Sequence, residues 1–132
     1  MRYALVSVAV FLAGSGVAWA DEGPSYTTEV KPFLTKYCMN CHNDARPRAG
    51  YSVETFADLT KDGRKGALVV PEKPDESRLL LSLAGKGKPM PPRKAVQPKE
   101  DEVAKVRDWI KVGANDDTPA DDKKKSNGES SK

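Results

Sequence analysis

The spacing of apolar residues along the chain predicts a series of short amphipathic helices. Val30, Phe33, Leu34 and Tyr37 recur at i, i+3, i+4 and i+7, so they lie on one face of a helix. Pro32 suits the first turn of that helix, where a backbone N–H is not required. This first helix runs directly into the residues that carry the most distinctive chemistry of the sequence.

The same pattern predicts two further helices, each opened by proline and acidic residues that favour a helix start. One begins at Pro74, carries Leu79, Leu80 and Leu83 on its buried face, and ends at the glycines that follow. The other begins at Pro98 and ends at Gly113. Its apolar positions are Val103, Val106, Trp109 and Ile110. The segment between residues 50 and 60 is ambiguous between a short strand and a turn of helix.

The N-terminal end of the chain reads as a targeting segment. An apolar run follows Arg2, and Ala18-Trp19-Ala20 is a small-x-small cleavage pattern. Residues 1–20 are therefore predicted to be a signal peptide that is cleaved on export to the periplasm. The alternative is an uncleaved N-terminal membrane anchor, and membrane association is expected only in that case.

The rest of the chain divides into a domain and a tail. Residues 21–114 hold the helical patterns, whereas residues 115–132 have charged and small polar residues without apolar periodicity, which predicts a disordered charged tail. After cleavage, 35 of 112 residues are apolar, about 31%, which is low for a globular domain of this size. The net charge of +3 falls to +2 without Arg2, a balance that does not suggest nucleic-acid binding.

The most specific motif is Cys38-Met39-Asn40-Cys41-His42, the attachment pattern of a c-type haem. Each thiol can add to a vinyl group of the porphyrin, and the imidazole of His42 can bind the iron. The following loop contains Pro47, a candidate to lie against the histidine where a carbonyl accepts from the free imidazole N–H; the alternative is an ordinary loop proline.

Two other uses of this motif compete with haem attachment. Cys38 and Cys41 could form a redox-active disulfide, but that motif is typical of a βαβ context, and helix and loop signals flank it here. A zinc site needs four ligands, and the chain has no second Cys/His pair to complete one.

Met90 is the predicted second iron ligand. It is the only methionine after residue 20 besides Met39, which lies between the two cysteines on the His42 side of the ring. Pro89 and Pro91 restrict the backbone on either side, so little conformational entropy is lost when the thioether is fixed at the iron. The alternative is a methionine that fills a gap in a proline-rich loop.

With these motifs in place, the chain resembles the cytochrome c superfamily, and most closely the planctomycete-type cytochrome c domain. The resemblance covers about residues 29 to 114. The matching segments are 30–34, 38–42, 50–55, 66–71, 74–80, 90–92 and 107–114. Two positions depart from the pattern: Asn43 replaces a glycine that is common after the histidine, and Glu72 stands where the family often has glycine.

The resemblance implies an all-α fold, with a few helices wrapped around one covalently bound haem c. Cys38 and Cys41 would carry the thioether bonds, His42 would be the proximal iron ligand and Met90 the distal one. With both axial positions filled, the expected function is one-electron transfer between redox partners rather than enzymatic catalysis. The alternative is a haem enzyme or a gas or peroxide sensor in which Met90 dissociates from the iron.

Basic residues flank the methionine loop: Lys86, Lys88, Arg93 and Lys94. They are expected to surround an exposed haem edge and to attract an acidic redox partner, with association that weakens as salt rises. The alternative is that they only keep the loop soluble.

Overall fold

The computed structural model describes residues 23–128, with side chains described to residue 124. The predicted signal peptide, residues 1–20, lies outside this range. Helices α1 to α5 span Lys31–Tyr37, Phe56–Thr60, Arg78–Leu83, Glu100–Lys111 and Ala120–Gly128. Strands β1 to β4 span His42–Asn43, Arg46–Pro47, Asp62–Gly63 and Gly66–Ala67. A π-helical turn, Tyr26–Val30, leads into α1, and two 3₁₀ turns span Arg48–Gly50 and Pro74–Glu76. No helix among residues 23–128 is both long and apolar enough to cross a bilayer.

The predicted all-α fold is wrong, because the helices are accompanied by two small antiparallel sheets. In the first, β1 pairs with β2 so that His42 lies opposite Pro47. In the second, β3 pairs with β4 so that Gly63 lies opposite Gly66. Each strand has only two residues, too few for an alternating apolar pattern to emerge in the sequence. The fold is a mixed one in which helices form the core and the hairpins shape its edges.

The first helix forms as its apolar spacing predicts. Ser25 caps the π-helical turn, and its Oγ accepts a hydrogen bond from Thr28 N at 3.1 Å. Val30, Phe33 and Leu34 are buried, which confirms the predicted face. This face packs into the core and directs the C-terminal end of α1 toward the cysteine motif.

The ambiguous segment between residues 50 and 60 contains both kinds of structure. Tyr51 has extended backbone angles, whereas Phe56–Thr60 form α2. A capping box starts this helix, in which Thr55 and Asp58 each accept a hydrogen bond from the backbone N–H of the other. The extended residues before the box are therefore free to line a cavity instead of continuing the helix.

The helix predicted from Pro74 is interrupted at Ser77, which separates the 3₁₀ turn from α3. Ser77 is fully buried; its Oγ accepts from Val70 N and lies 2.9 Å from Lys73 O. These bonds hold Ser77 in an extended conformation that breaks the helix. Helix α3 consequently begins at Arg78, which faces the site described below.

Helix α4 supplies the centre of the core. Trp109 is fully buried, its ring stacks on Tyr26 at a centroid distance of 5.7 Å, and its Nε1 donates to Asn115 O at 3.0 Å. The burial of this helix face agrees with its predicted apolar positions. The buried apolar residues of the core are Tyr26, Val30, Phe33, Leu34, Val53, Leu59, Val69, Leu79, Leu80, Val106, Trp109, Ile110 and Ala114.

The segment after α4 returns to the beginning of the described chain. Asp117 accepts hydrogen bonds from Ser25 Oγ and from both the N and Oγ1 of Thr27, the latter two at 2.8 Å. Burial acts to raise the pKa of Asp117, but these hydrogen bonds prevail and lower it. Helix α5 lies within the segment for which disorder is expected, so the structure differs from that expectation here, while the domain boundary itself stays a prediction.

Candidate functional site

The cysteine motif forms a hydrogen-bonded turn at the end of α1. The carbonyl of Cys38 accepts from Cys41 N at 3.1 Å and from His42 N at 3.0 Å. Asn43 supports the turn because its Nδ2 donates to Met39 O and its Oδ1 accepts from Arg46 N, both at 2.9 Å. The asparagine that departs from the family pattern therefore fixes the loop that follows the motif.

The two cysteines are half-buried free thiols. Burial, and to a smaller extent the neighbouring Cys41, raises the pKa of the Cys38 thiol to about 11. Cys38 is therefore a neutral thiol at ordinary pH. It lines the main cavity of the site, whereas Cys41 is not among the residues that line that cavity.

The orientation of His42 is set by an extended segment that passes beside it. His42 Nδ1 lies 3.3 Å from the carbonyl oxygen of Tyr51, and Val53 N donates to His42 O at 3.0 Å. With Nδ1–H donating to this carbonyl, Nε2 is the nitrogen left to bind a metal. The acceptor is thus the carbonyl of Tyr51 and not the candidate Pro47, which fits the alternative of an ordinary loop proline.

Cys38, His42 and Met90 line one cavity of about 310 Å³. Apolar side chains of Val53, Leu68 and Leu79 form part of its wall. The size and the mostly apolar lining with a few polar groups are typical of a small-molecule or cofactor site.

The methionine loop is attached to α3. Met90 N donates to Ser82 O at 3.1 Å, and the half-buried Met90 side chain faces the cavity together with Ser82. Beyond the methionine, Gln97 Nε2 donates to the carbonyls of Pro92, at 3.0 Å, and Ala95, at 2.9 Å. Sequence reasoning missed Gln97, and no local signal marks it, because its role is only to bond backbone within an irregular loop.

The cavity is bordered by cations. Lys86 and Lys88, two of the predicted docking residues, line it, whereas Arg93 and Lys94 are exposed outside its lining. Three further basic residues also line it and were not singled out from the sequence: Arg64, Lys65 and Arg78.

Tyr51 connects this basic border to the histidine. Its hydroxyl donates to Gly66 O at 2.8 Å and accepts from Lys65 N at 3.2 Å, while its carbonyl faces His42. A Cβ placed on Gly63 would lie 2.2 Å from Cε1 of the tyrosine ring, so only glycine leaves room for it. From the sequence, Tyr51 is only one apolar position of an ambiguous segment.

The donor set fits a covalently attached haem. Haem c requires two thiols at the spacing of the attachment motif, an imidazole whose Nδ1 is hydrogen-bonded, and a further ligand such as a thioether, and all of these are present. The apolar walls of the cavity suit a flat macrocycle. The structure thus brings together Cys38, His42 and Met90, as the sequence reasoning requires, and leaves Cys41 beside the cavity.

A comparison with protein families supports this chemistry. Residues 38–94 match a family model described as Planctomycete cytochrome C, and this confirms the resemblance to the planctomycete-type cytochrome c domain. The match spans 57 of the 132 residues; it includes the cysteine motif and Met90 but neither α1 nor α4. No curated protein and no solved structure matched the chain. The family match indicates a haem-binding electron carrier.

Proposed function

Starting from the planctomycete-type cytochrome c segment at residues 38–94, we propose that this protein is an exported carrier of single electrons with one covalent haem c. The observation that carries the proposal is the shared cavity of Cys38, His42 and Met90. In the proposed holoprotein, Cys38 and Cys41 hold the porphyrin through thioether bonds, His42 is the proximal iron ligand and Met90 the distal one.

The chain's own groups have separate tasks in this proposal. Each cysteine would add its S–H across a vinyl C=C: the S–H bond and the C=C π bond break, one S–C bond and one C–H bond form, and no oxidant is required. Tyr51 O accepts a hydrogen bond from His42 Nδ1–H, which fixes the ring and raises the basicity of Nε2. The haem supplies a one-electron couple, and methionine ligation favours the reduced state relative to a second histidine.

The proposed route for electrons is an exposed edge of the cofactor near the methionine loop. Lys86 and Lys88 lie at the cavity, and with Arg93 and Lys94 they give this loop a positive surface suited to an acidic partner. Since exposed charges are screened by salt, the rate of electron transfer with such a partner should fall as ionic strength rises. A rate that is independent of salt would instead indicate that these basic residues only keep the loop soluble.

Export to the periplasm is part of the proposal and rests on residues 1–20. They carry the features of a cleaved signal peptide but lie outside the described part of the chain. The mass of the mature protein tests this directly: cleavage after Ala20 removes residues 1–20, whereas an anchored form keeps them and partitions with membranes.

The test of the function is the spectrum and mass of the exported protein. A covalent cytochrome is red, its mass exceeds that of the peptide by one haem, and its oxidised spectrum has the weak red band of methionine–iron ligation. Met90→Ala should abolish that band and keep the haem mass, whereas Met39→Ala, the matched control, should keep both.

Two results would redirect the assignment. A colourless protein with the mass of the bare peptide would refute haem attachment and revive the dithiol alternative. A haem protein that lacks the methionine band in the oxidised state would favour an enzyme or a gas or peroxide sensor, because an iron position would then be available to a ligand.

A further inference from the structure

The charged residues that line the cavity are all basic. Five of the fifteen residues that line the cavity are basic and none is acidic, although the whole chain has 22 basic and 19 acidic residues. The basic residues form two groups: Arg64 and Lys65 in the β3–β4 turn with Arg78 at the start of α3, and Lys86 and Lys88 in the loop before Met90. We refer to the first three as the basic rim. An excess of cations at an apolar cavity points to an anionic ligand group.

Arg78 is fixed in place by the turn that carries the other two cations. Its Nη1 donates to the carbonyl of Lys65 at 3.2 Å, and its side chain is only half-exposed at the first position of α3. The guanidinium has further N–H donors beyond the one that this bond uses. Arg78 is therefore oriented while it keeps the capacity to bind a carboxylate.

The turn between β3 and β4 is itself rigidly supported. Gly66 adopts a φ of +94°, which favours glycine, and its carbonyl accepts from the Tyr51 hydroxyl at 2.8 Å. The same hydroxyl accepts from Lys65 N at 3.2 Å. Through the Tyr51 backbone the turn is connected to His42, so the basic rim has a defined position relative to the expected iron ligand.

We infer that the basic rim, Arg64, Lys65 and Arg78, binds the carboxylate side chains of the haem. The inference rests on the proposed function and adds to it, because it assigns three residues outside the attachment motif to a specific part of the cofactor. A haem carries two ionised propionates, and partial burial of a carboxylate requires a cation or hydrogen-bond donors beside it. Arginine is suited to this task because its planar fork can donate two parallel hydrogen bonds.

The two basic groups then have different tasks. In the basic rim, the Arg78 side chain donates to Lys65 O and Lys65 N donates to the Tyr51 hydroxyl, so these residues lie on a supported backbone that suits a permanent ligand. Lys86 and Lys88 belong to an irregular loop, which suits transient contact with a partner. Substitution in the basic rim should alter the haem itself, whereas substitution in the loop should alter the salt dependence of partner association.

The decisive variant is Arg78→Gln in the haem-loaded protein, with Arg46→Gln as the matched control. Both remove one positive charge, but Arg46 is exposed on β2 and does not line the cavity. Loss of a rim cation leaves propionate charge uncompensated, which favours the oxidised iron. For a unit charge roughly 10 Å from iron and an effective dielectric constant of about 20–80, the ratio of reduced to oxidised protein at fixed electrode potential falls about 2- to 15-fold.

A second measurement reports on the carboxylates directly. In resonance Raman spectra, the bending mode of the propionates depends on their hydrogen bonds. It should shift in Arg78→Gln, shift less in Arg78→Lys, and stay at the parent frequency in Arg46→Gln. If Arg78→Gln does not accumulate as a holoprotein, Lys65→Gln and Arg64→Gln provide the same two readouts.

The outcomes separate this inference from the function on which it rests. If the parent protein carries no covalent haem, the proposed function fails. If the parent and the rim variants are all haem-loaded, and the rim variants match Arg46→Gln in redox ratio and Raman frequency, the carboxylate-binding role is overturned. Changes confined to the salt dependence of a partner reaction would also overturn it, since they would assign the basic rim to docking.

Discussion

Replacement of Gly63 by alanine tests the packing that joins the β3–β4 turn to the histidine. Gly63 has a negative φ, so alanine is compatible with the backbone itself. The added Cβ would lie 2.2 Å from Cε1, 2.7 Å from Cζ and 3.0 Å from Cδ1 of Tyr51. Because no pair of carbons tolerates such distances, the ring has to move.

The magnitude follows from what holds the ring in place. Overpacking of a well-packed site typically destabilises a protein by about 1–3 kcal/mol. If the ring moves, its hydroxyl also loses the bonds with Gly66 O and Lys65 N, each worth about 1 kcal/mol. We expect Gly63→Ala to lower the free energy of unfolding by about 3–5 kcal/mol, equivalent to a fall of roughly 15–35 °C in Tm.

The assay is thermal and denaturant unfolding in a double-mutant cycle with Tyr51→Val. Valine suits the extended backbone at residue 51 but lacks the ring atoms that the new Cβ would meet. In that background Gly63→Ala should be neutral within about 0.5 kcal/mol. Gly85→Ala is the control: its φ is +74° with open space around it, so it should cost about 1 kcal/mol of backbone strain in either background. An equal loss from Gly63→Ala with and without the Tyr51 ring would refute the packing argument.

Three further predictions concern the core, the backbone and acid stability. Trp109→Ala should destabilise by about 3–5 kcal/mol in denaturant unfolding, whereas the exposed Val112→Ala should change stability by less than about 0.5 kcal/mol; similar values would contradict the placement of the core. Glu72 has a φ of +63°, so Glu72→Gly should raise the free energy of unfolding by up to about 1 kcal/mol, and a loss would show that its side chain compensates for the strain. The hydrogen bond from Tyr37 is the main cause that lowers the pKa of Glu102 from 4.5 to about 2. The folded-state pKa lies below the unfolded one, so this stabilisation is present above about pH 4.5 and is lost as the pH falls toward 2. Glu102→Gln should therefore lose less stability than the parent over that interval in thermal melts, and parallel losses would exclude Glu102 as a source of acid sensitivity.

The helices could be predicted because their signals are local. The apolar face of α1, the proline in its first turn and the acidic start of α4 all lie within a few residues of the structure they specify. The hairpins could not be predicted, since two-residue strands are set by turn conformation and by side chains such as Asn43. The break at Ser77 in the helix predicted from Pro74 depends on a hydrogen bond from Val70 in the preceding loop. The helical spacing of apolar residues carries no information about such a bond.

Some residues of the candidate site could likewise be predicted from the sequence, and others could not. Cys38 and His42 follow from one contiguous motif, and Met90 from the scarcity of methionine, because the chemistry of haem restricts which residue types can serve. The basic rim, by contrast, combines residues 64, 65 and 78 through a side-chain bond to a backbone carbonyl, which no spacing in the sequence reveals. The acceptor for His42 could not be identified for a related reason: a candidate proline near the motif is visible in the sequence, whereas a carbonyl nine residues away becomes a neighbour only on folding.

The contact of Asp117 with Ser25 and Thr27 has a practical consequence for protein engineering. It brings residues 25 and 117 together, so a short peptide linker is sufficient to join these two points of the chain. A circular permutant joined there lacks α5, and new ends in the exposed loop at residues 86–88 would separate Lys86 from Lys88 without cutting α1 to α4 or any strand. In such a protein the methionine loop would be anchored at one side only, and its contribution to iron binding could be measured apart from the rest of the domain.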